Sequence, residues 1–534
     1  MIPKLPVWVS AIAGAIVALA GAPFGIIAAA FAGGVLHLSQ SVHDRSIRAA
    51  SLRGWLFGFG YFAVTLHWIV EPFLVDAARH GWMAPFALVF LCGGLAVFWG
   101  LAQGVAFLAT SETVPADSPT FHFKTIWKRE RTLALGPRAH AHFLMNWAFA
   151  LGGVEVLRSF AFTGFPWGLL GYIWVDTQVS LLATVVGSHG LGLLSLLAIC
   201  VFAWAVLNRH VLPTRVGWGT MIGVLIVVLA GMQPMPPAPA NVGSAEAERT
   251  LVRIVQPNAP QSEKWLPEKA RDFFDRSVAL SEAAPENGGR RPDLIVWPET
   301  SIPVWLDEAD VAIGMISRAL PQTPVIAGLQ RADRLRFFNT AVVIDGGYVT
   351  DFYDKAQLVP FGEYLPFGGL LSKLGIYGLA ANEGGGFSRG VGMRTLQVGD
   401  LGSAQILICY EGIFPHLAGA TKERPAFFAL ITNDGWFGNW AGPRQHLVQA
   451  QFRSLEQGIP MLRSANTGIS AIIDARGRVT AQLGMNQTGF IDAAMPGARK
   501  ATFYARTRDW PIIGVFMLWL IGTSVLVWRR SSLT

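Results

Sequence analysis

The chain has 534 residues, more than one usual domain, and 52% of them are hydrophobic against 14% charged. That balance excludes an ordinary soluble protein. The formal net charge of +7 comes with no nucleic-acid motif, so it calls for another explanation than nucleic-acid binding.

Apolar residues crowd before about residue 235 and again after 510. Eight segments approach the roughly 20 apolar residues that cross a bilayer: 6–21, 23–41, 54–74, 83–109, 140–160, 178–206, 216–232 and 511–528. The first is short, and Ala18-Leu-Ala-Gly-Ala resembles a signal cleavage region, but a second apolar span follows almost directly. The expected fold is a multi-pass α-helical membrane bundle of about eight spans joined to an α/β domain. The expected divisions are 1–235 (seven spans), 245–500 (catalytic domain) and 508–530 (a last span).

Loop charges orient the bundle. Lys4 precedes the first span, and Arg45, Arg48 and Arg53 follow the second. Lys124, Lys128, Arg129, Arg131 and Arg138 follow the fourth, Arg209 and Arg215 the sixth, and Arg529 and Arg530 the last. The alternate loops are nearly free of Lys and Arg, Arg79 being the main exception. Basic loops stay cytoplasmic. Both termini are therefore expected in the cytoplasm and the 245–500 domain on the outer side of the membrane. These loops largely account for the positive charge. Within the fifth span Glu155 and Arg158 lie three apart on one helix face. They predict a buried ion pair, with a substrate head-group site as the sharper alternative. The polar 111–137 segment reads as a cytoplasmic loop of no catalytic interest.

A Pro/Ala-rich linker at 233–241 leads into the domain. Strand-like runs follow at 251–255, 294–297, 324–329, 340–344, 405–409, 427–431, 461–463 and 470–473, with helix-length polar stretches at 266–284, 308–319 and 443–457. The alternation predicts a sandwich with buried sheets. Region 373–395, with Gly384, Gly385, Gly386, Gly390 and Gly392, predicts a mobile loop acting as a lid over the site.

Three polar residues stand at or just beyond the ends of apolar strands. Glu299 follows Leu294-Ile-Val-Trp-Pro, Lys355 follows Phe352-Tyr-Asp, and Cys409 follows Ile406-Leu-Ile. The other cysteines, Cys92 and Cys200, sit inside apolar spans. Outside the cytoplasm a structural thiol tends to be oxidised in a pair, and Cys409 has no partner in its own domain. Adjacent strand ends of one sheet converge in space. A carboxylate can take the thiol proton, and an ammonium can stabilise thiolate and oxyanion. Each residue also has a plain reading: a turn cap for Glu299, a surface ion pair for Lys355, core packing for Cys409. The constellation favours acyl transfer through a thioester. The histidines, His446 included, lack metal-ligand spacing, and no cofactor is expected.

These segments resemble the Glu-Lys-Cys motifs of the nitrilase superfamily of carbon–nitrogen hydrolases. They are closest to its membrane-bound branch, the apolipoprotein N-acyltransferases of Gram-negative bacteria. The resemblance rests on Val296-Trp-Pro-Glu-Thr, Asp354-Lys-Ala-Gln-Leu-Val-Pro-Phe-Gly-Glu-Tyr-Leu-Pro, Ile408-Cys-Tyr-Glu, Thr432-Asn-Asp-Gly-Trp-Phe-Gly and Arg463-Ser-Ala-Asn-Thr-Gly-Ile. It extends over the whole chain through the seven-plus-one span pattern. Gln256-Pro-Asn departs from it, with Pro in place of Gly, and the 111–137 loop is long.

The resemblance implies an α-β-β-α sandwich in which Glu299 is general base, Lys355 the charge stabiliser and Cys409 the nucleophile. Glu363 matches a second glutamate that supports proton transfer and holds Lys355. Tyr410 and Glu411 match neighbours that shape the cysteine's strand end, and Trp265 and Trp436 match aromatic residues at the substrate entrance. It further implies a phospholipid donor, phosphatidylethanolamine, and a diacylglyceryl apolipoprotein acceptor whose N-terminal cysteine amine takes the acyl chain. Two rival readings are a membrane-tethered amidase acting on a small substrate and a transporter or scaffold with an inactive domain. The eight spans speak against the first, and the intact Glu, Lys and Cys against the second.

Overall fold

The computed structural model describes residues 4–110, 112–113, 131–132, 136–210, 219, 222–223, 226, 229–236, 250–285, 289–366 and 386–532. The chain divides into two compact units. One comprises Met1–Val70, Met83–Pro234 and Thr507–Thr534, and the other Glu71–Trp82 and Met235–Arg506.

The first unit is helical. Its long elements are α1 (Val9–Ala18), α2 (Ile27–Ser41), α3 (Ile47–Thr65), α4 (Ala84–Thr110), α5 (Pro137–Phe160) and α6 (Ala183–Leu207). The C-terminal helix Trp510–Ser532 belongs to the same unit. Small residues let these helices approach closely. A Cβ on Gly14 would meet the Phe57 carbonyl oxygen at 1.9 Å, and one on Gly60 the Ala11 carbonyl oxygen at 1.9 Å. The α1–α3 contact is thus backbone against backbone, as small residues permit in lipid. Ser46 caps α3, its hydroxyl accepting from the Ala49 N–H at 3.2 Å.

Two helical stretches, Ala77–Thr110 and Gln178–Leu207, are long and apolar enough to cross a membrane. Val9–Ala18 and Trp510–Leu526 are shorter apolar helices. The expected span at 216–232 lies largely outside the described residues, as does most of the 111–137 loop. Glu155 and Arg158 do form a buried pair: Nε donates to Oε1 at 3.0 Å and Nη2 to Oε2 at 2.5 Å.

The second unit holds two six-stranded sheets. Its strands are β1 (Leu251–Gln256), β2 (Leu294–Val296), β3 (Val325–Asp333), β4 (Arg336–Asp345), β5 (Tyr348–Asp354), β6 (Thr395–Gln397), β7 (Ser403–Ile408), β8 (Phe427–Thr432), β9 (Met461–Ala465), β10 (Ser470–Ile473), β11 (Val479–Leu483) and β12 (Gly489–Ala494). One sheet runs β12-β1-β2-β3-β4-β5 and the other β11-β10-β9-β8-β7-β6. Central pairs β1–β2, β2–β3, β7–β8 and β8–β9 are parallel and the flanking pairs antiparallel.

Period-two alternation sorts the side chains into layers. Val252, Ile254, Val296, Ile326 and Val343 of one sheet pack with Ile406, Ile408, Phe427, Ala429, Ile431 and Leu462 of the other. On the outer face of the first sheet, Ile295, Trp297, Val325 and Val342 meet Phe274 of α7 (Pro267–Glu282) and Ile313 and Ile316 of α8 (Asp310–Ala319). On the outer face of the second, Leu407, Phe428 and Leu430 meet Leu447 and Ala450 of α9 (Ala441–Gln457). The layering is α-β-β-α.

Two expectations change here. Strands β5, β6, β11 and β12 escape the sequence reading because they lie at or near the sheet edges. β5 and β11 alternate exposed and half-buried residues, so no continuous apolar run marks them. The three candidate residues also do not come from adjacent strand ends of one sheet. Glu299 follows β2 and Lys355 follows β5 in one sheet, whereas Cys409 follows β7 in the other. Facing the two sheets against each other is what brings the ends together.

Candidate active site

Cys409 ends the buried run of β7 and opens a short 3-10 helix, Cys409–Ile413. Its φ is +51°, in the left-handed region that costs a non-glycine residue about 1–3 kcal/mol. The thiol is 5% exposed. Neighbours on both sides hold this bend. The Glu411 carboxylate accepts from the Ile408 N–H at 2.8 Å, and His446 Nε2 lies 3.2 Å from the Cys409 carbonyl. Thr432, at the end of β8, lowers the thiol's pKa, in the sense that favours the thiolate.

The structure brings Glu299, Lys355 and Glu363 to the same cluster. Lys355 is 1% exposed; its Nζ donates to Glu363 Oε1 at 2.8 Å and stands 3.6 Å from Glu299 Oε1. Glu363 is fixed in turn by the Val359 N–H on Oε2 at 2.8 Å. Glu299 accepts from the Asn433 N–H at 2.9 Å on Oε2 and from Asn339 Nδ2 at 2.7 Å on Oε1. Asn339 also reaches Glu363 Oε1 at 3.1 Å, so one amide spans both carboxylates.

Charge follows this geometry. Burial, reinforced by the Glu299 carboxylate, pushes the Cys409 thiol well above its ordinary pKa, and Lys355 pulls in the opposite sense. Burial opposes the Lys355 ammonium, but Glu363 and Glu299 outweigh it and hold the pKa above the usual lysine range. The thiol thus lies in a cluster where burial and Glu299 disfavour its thiolate and Lys355 favours it.

Glu411 acts as a clip between the two sheets. Oε1 accepts from the Tyr353 hydroxyl at 2.7 Å, the Ala356 N–H at 2.7 Å and the Gln357 N–H at 3.0 Å, while Oε2 takes the Ile408 N–H. The carboxylate next to the thiol thus grips the segment that carries Lys355. Burial raises its pKa to about 7, against the pull of these donors and of Lys355. Tyr410 is buried, its ring edge-on to Phe414 at 5.0 Å. Trp265 is 48% exposed and Trp436 is partly buried; neither is part of the polar cluster.

Several polar residues at the site have no role assigned from the sequence, although Thr432, Asp434 and Arg463 lie in the family motifs. Lys264, buried beside Trp265, donates to the Glu299 carbonyl at 2.9 Å and the Thr300 hydroxyl at 2.8 Å. It lines a cavity of about 20 Å³ with Trp265, Phe273, Thr300 and Asn466, room for one water. Asp434 accepts from Thr432 at 2.9 Å and Arg463 at 2.5 Å and lies 3.0 Å from His446 Nδ1. Burial opposes its charge, yet Arg463 and His446 hold its pKa at about 2. Burial and Arg463 lower the His446 pKa, against the pull of Asp434 and the Cys409 carbonyl. The bonds from Lys264 and Asn339 to Glu299 and the contact of His446 with the Cys409 carbonyl each span 35 or more residues, which hides them from any local motif.

Of the glycine-rich segment, 373–385 lie outside the described residues. The described part returns along the Lys355 loop: Phe387 N–H donates to the Glu363 carbonyl at 2.8 Å and Gly390 N–H to the Lys355 carbonyl at 2.9 Å. A Cβ on Gly390 would meet the Asp354 carbonyl oxygen at 2.1 Å, so only glycine fits there. Among the described residues no group of His, Cys, Asp and Glu could hold a metal ion.

Comparison with known proteins agrees with this architecture. Residues 251–502 match the carbon-nitrogen hydrolase family, and residues 13–201 match the apolipoprotein N-acyltransferase N-terminal domain. The chain is 36% identical to the apolipoprotein N-acyltransferase of Brucella melitensis, over 96% of this chain and 94% of that one. It is 37% identical to that of Sinorhizobium fredii, over 97% and 95%. Among solved structures it is similar to a CN-hydrolase superfamily protein of Xanthomonas campestris, at 16% identity and a TM-score of 0.34, covering 50% of this chain and 96% of that one. With both family domains present in order and relatives matched nearly end to end, the chain belongs to the apolipoprotein N-acyltransferase family.

Proposed function

We propose that Cys409 carries the fatty acyl group during lipoprotein N-acylation, with Glu299 as general base, Lys355 as oxyanion stabiliser and Glu363 holding Lys355. The observation that carries this reading is the convergence of a thiol, a carboxylate and a cation in one buried cluster. In the first half-reaction Glu299 takes the Cys409 proton and the thiolate attacks an ester carbonyl. Negative charge passes to the carbonyl oxygen, beside Lys355 and a backbone N–H near the cysteine. On collapse the ester C–O bond breaks and the departing alcohol takes the proton back from Glu299. In the second half-reaction the amine of a diacylglyceryl-modified N-terminal cysteine attacks the thioester. It passes its proton through Glu299 to the sulfur, which restores the thiol as the amide forms. Two covalent half-reactions imply ping-pong kinetics.

The donor in this reading is a phospholipid, phosphatidylethanolamine. Both substrates carry long acyl chains, and each CH₂ moved into water costs about 0.8 kcal/mol. An enzyme held in the bilayer leaves those chains in lipid. The helical unit is assigned eight spans in all, seven within 1–235 and one at 508–530. Both termini are then cytoplasmic and the 245–500 domain periplasmic, supported by the distribution of Lys and Arg. Trp265 and Trp436 flank the substrate entrance, Tyr410 shapes the cysteine's strand end, and the 373–395 segment keeps water from the thioester. The amidase alternative is disfavoured because the relatives match the membrane-domain half as well as the hydrolase half.

Mass spectrometry of the purified protein after incubation with phosphatidylethanolamine tests this. The expected result is a mass increase of one acyl group, labile to hydroxylamine and absent in Cys409→Ser. No adduct under turnover conditions would sink the reading.

A further inference from the structure

The scheme above gives Lys264 no part, although it is a second ammonium in the same cluster. It stands in the turn that leads into α7. Both of its hydrogen-bond acceptors belong to the corner that presents the base: the Glu299 carbonyl at 2.9 Å and the Thr300 hydroxyl at 2.8 Å. That corner is strained, with Thr300 at φ +46°. It is also braced from behind, since a Cβ on Gly328 would meet the Thr300 nitrogen at 2.5 Å. Lys264 is buried, and among the described residues it forms no ion pair. A desolvated ammonium with a carbonyl, a hydroxyl and the Trp265 ring at 5.7 Å for company, and no carboxylate in ion-pair contact among the described residues, is costly. Burial lowers its pKa to about 8, and the charges of Glu299 and Cys409 act against that fall.

A charge count gives the cost a purpose. Glu299 and Glu363, both against Lys355, bring two negative charges to the cluster and Lys355 one positive charge, and Glu411 beside the thiol adds further negative charge when ionised. Asp434, which also opposes the thiolate, is matched by Arg463. Without Lys264 the cluster carries a surplus negative charge, which opposes both thiolate and oxyanion. With it that surplus falls by one charge. The ammonium stays in place when the thiol proton moves to Glu299 and the negative charge moves to the acyl oxygen.

We propose that Lys264 is the second cation of the acyl-transfer site, a positioning residue that fixes the Glu299–Thr300 corner and balances the charge developing at Cys409. The acyl-transfer part rests on the reading of Cys409 as acyl carrier.

The test uses the full-length protein with Lys264→Gln, Lys264→Arg and Thr300→Val. Two rates are followed: Cys409 alkylation by iodoacetamide as a function of pH, and single-turnover acylation from phosphatidylethanolamine vesicles. Thermal melts accompany both. Lys264→Gln is expected to slow acylation about 100-fold and to move the alkylation profile up by about one pH unit. Lys264→Arg, which keeps the charge, recovers most of the loss seen in Lys264→Gln, and Thr300→Val, which keeps the charge but removes one of its two acceptors, falls between Lys264→Gln and the parent in acylation while its alkylation profile stays at the parent's pH. The parent's acylation rate falls as pH rises above about 8, where Lys264 loses its proton, and Lys264→Arg lacks that fall. An unshifted alkylation profile in Lys264→Gln overturns the proposal. So does a Lys264→Arg variant as slow as Lys264→Gln with an equal loss of Tm, which would mark a purely structural lysine. If the parent forms no acyl-Cys409, the carrier reading fails by itself. A shifted alkylation profile would then still place the Lys264 charge at the thiol.

Discussion

Two buried carboxylate–cation pairs in this chain differ in how fully they are satisfied. Arg158 in the helical unit spends its guanidinium on both oxygens of Glu155 and on the carbonyls of Phe165 and Trp167, and Glu155 also accepts from Trp99 at 2.8 Å. Four of its five N–H groups are thus spent inside the protein. In the sandwich, Lys355 stands 3.6 Å from Glu299, beyond a hydrogen bond, and Asn339 Oδ1 has no partner among the described residues. A satisfied pair specifies packing, whereas an unsatisfied one stores capacity for chemistry. At Glu155 and Arg158 the expected buried ion pair is what forms, and a head-group site there could draw on no more than the one remaining Nη2 N–H.

The comparison predicts opposite signatures on mutation. Cys409→Ala should lower N-acylation by about 10³-fold or more and leave the melting temperature nearly unchanged, read by lipoprotein acylation and a thermal melt. A folded variant with near-parent activity would remove the cysteine from the chemistry. Glu155→Gln should act the other way. Breaking one partner of a buried pair costs about 3–5 kcal/mol, so the melt should fall while iodoacetamide still alkylates Cys409 at the parent rate. An unchanged melt would mean that the pair is not structural.

Much of the sandwich was legible because its central strands are buried on both faces and read as continuous apolar runs. Ile295-Val296-Trp297 and Leu407-Ile408 are examples. The edge strands were not, because half their residues meet solvent. The candidate triad was legible residue by residue, through strand ends and family motifs, but not its assembly from two facing sheets. Glu411 stood out in sequence only as a neighbour of the thiol. Its bonds to Ala356 and Gln357, more than fifty residues away, make it the clip between the sheets.

That clip and the His446 contact give a smaller effect, on geometry alone. His446→Phe removes the only side-chain contact described to the Cys409 carbonyl while keeping a ring in the site. With the φ of +51° less restrained, kcat should fall about 10-fold at nearly constant KM. Glu299→Gln should cost about 100-fold or more, because it removes the base itself. Equal losses in the two variants would mean that His446 does more than position the bend.

The smallest expected effect is on stability against acid. Asp434 has a folded pKa of about 2 against an ordinary value of 3.8, because Arg463 and His446 favour its charge despite burial. A carboxylate with a depressed folded pKa binds its proton more weakly when folded. Its contribution is therefore complete above pH 3.8 and disappears as pH falls through about 2. The shift corresponds to about 2 kcal/mol. Denaturant unfolding of the parent between pH 5 and 2 should show this loss. Asp434→Asn, which cannot titrate, should start from a lower stability, with Arg463 left unpaired, and should lose about 2 kcal/mol less over the same range. Parallel pH curves for the two proteins would show that Asp434 is not held ionised by its partners. The polar network behind Cys409 would then lack the fixed charge that its contacts with Arg463 and His446 require.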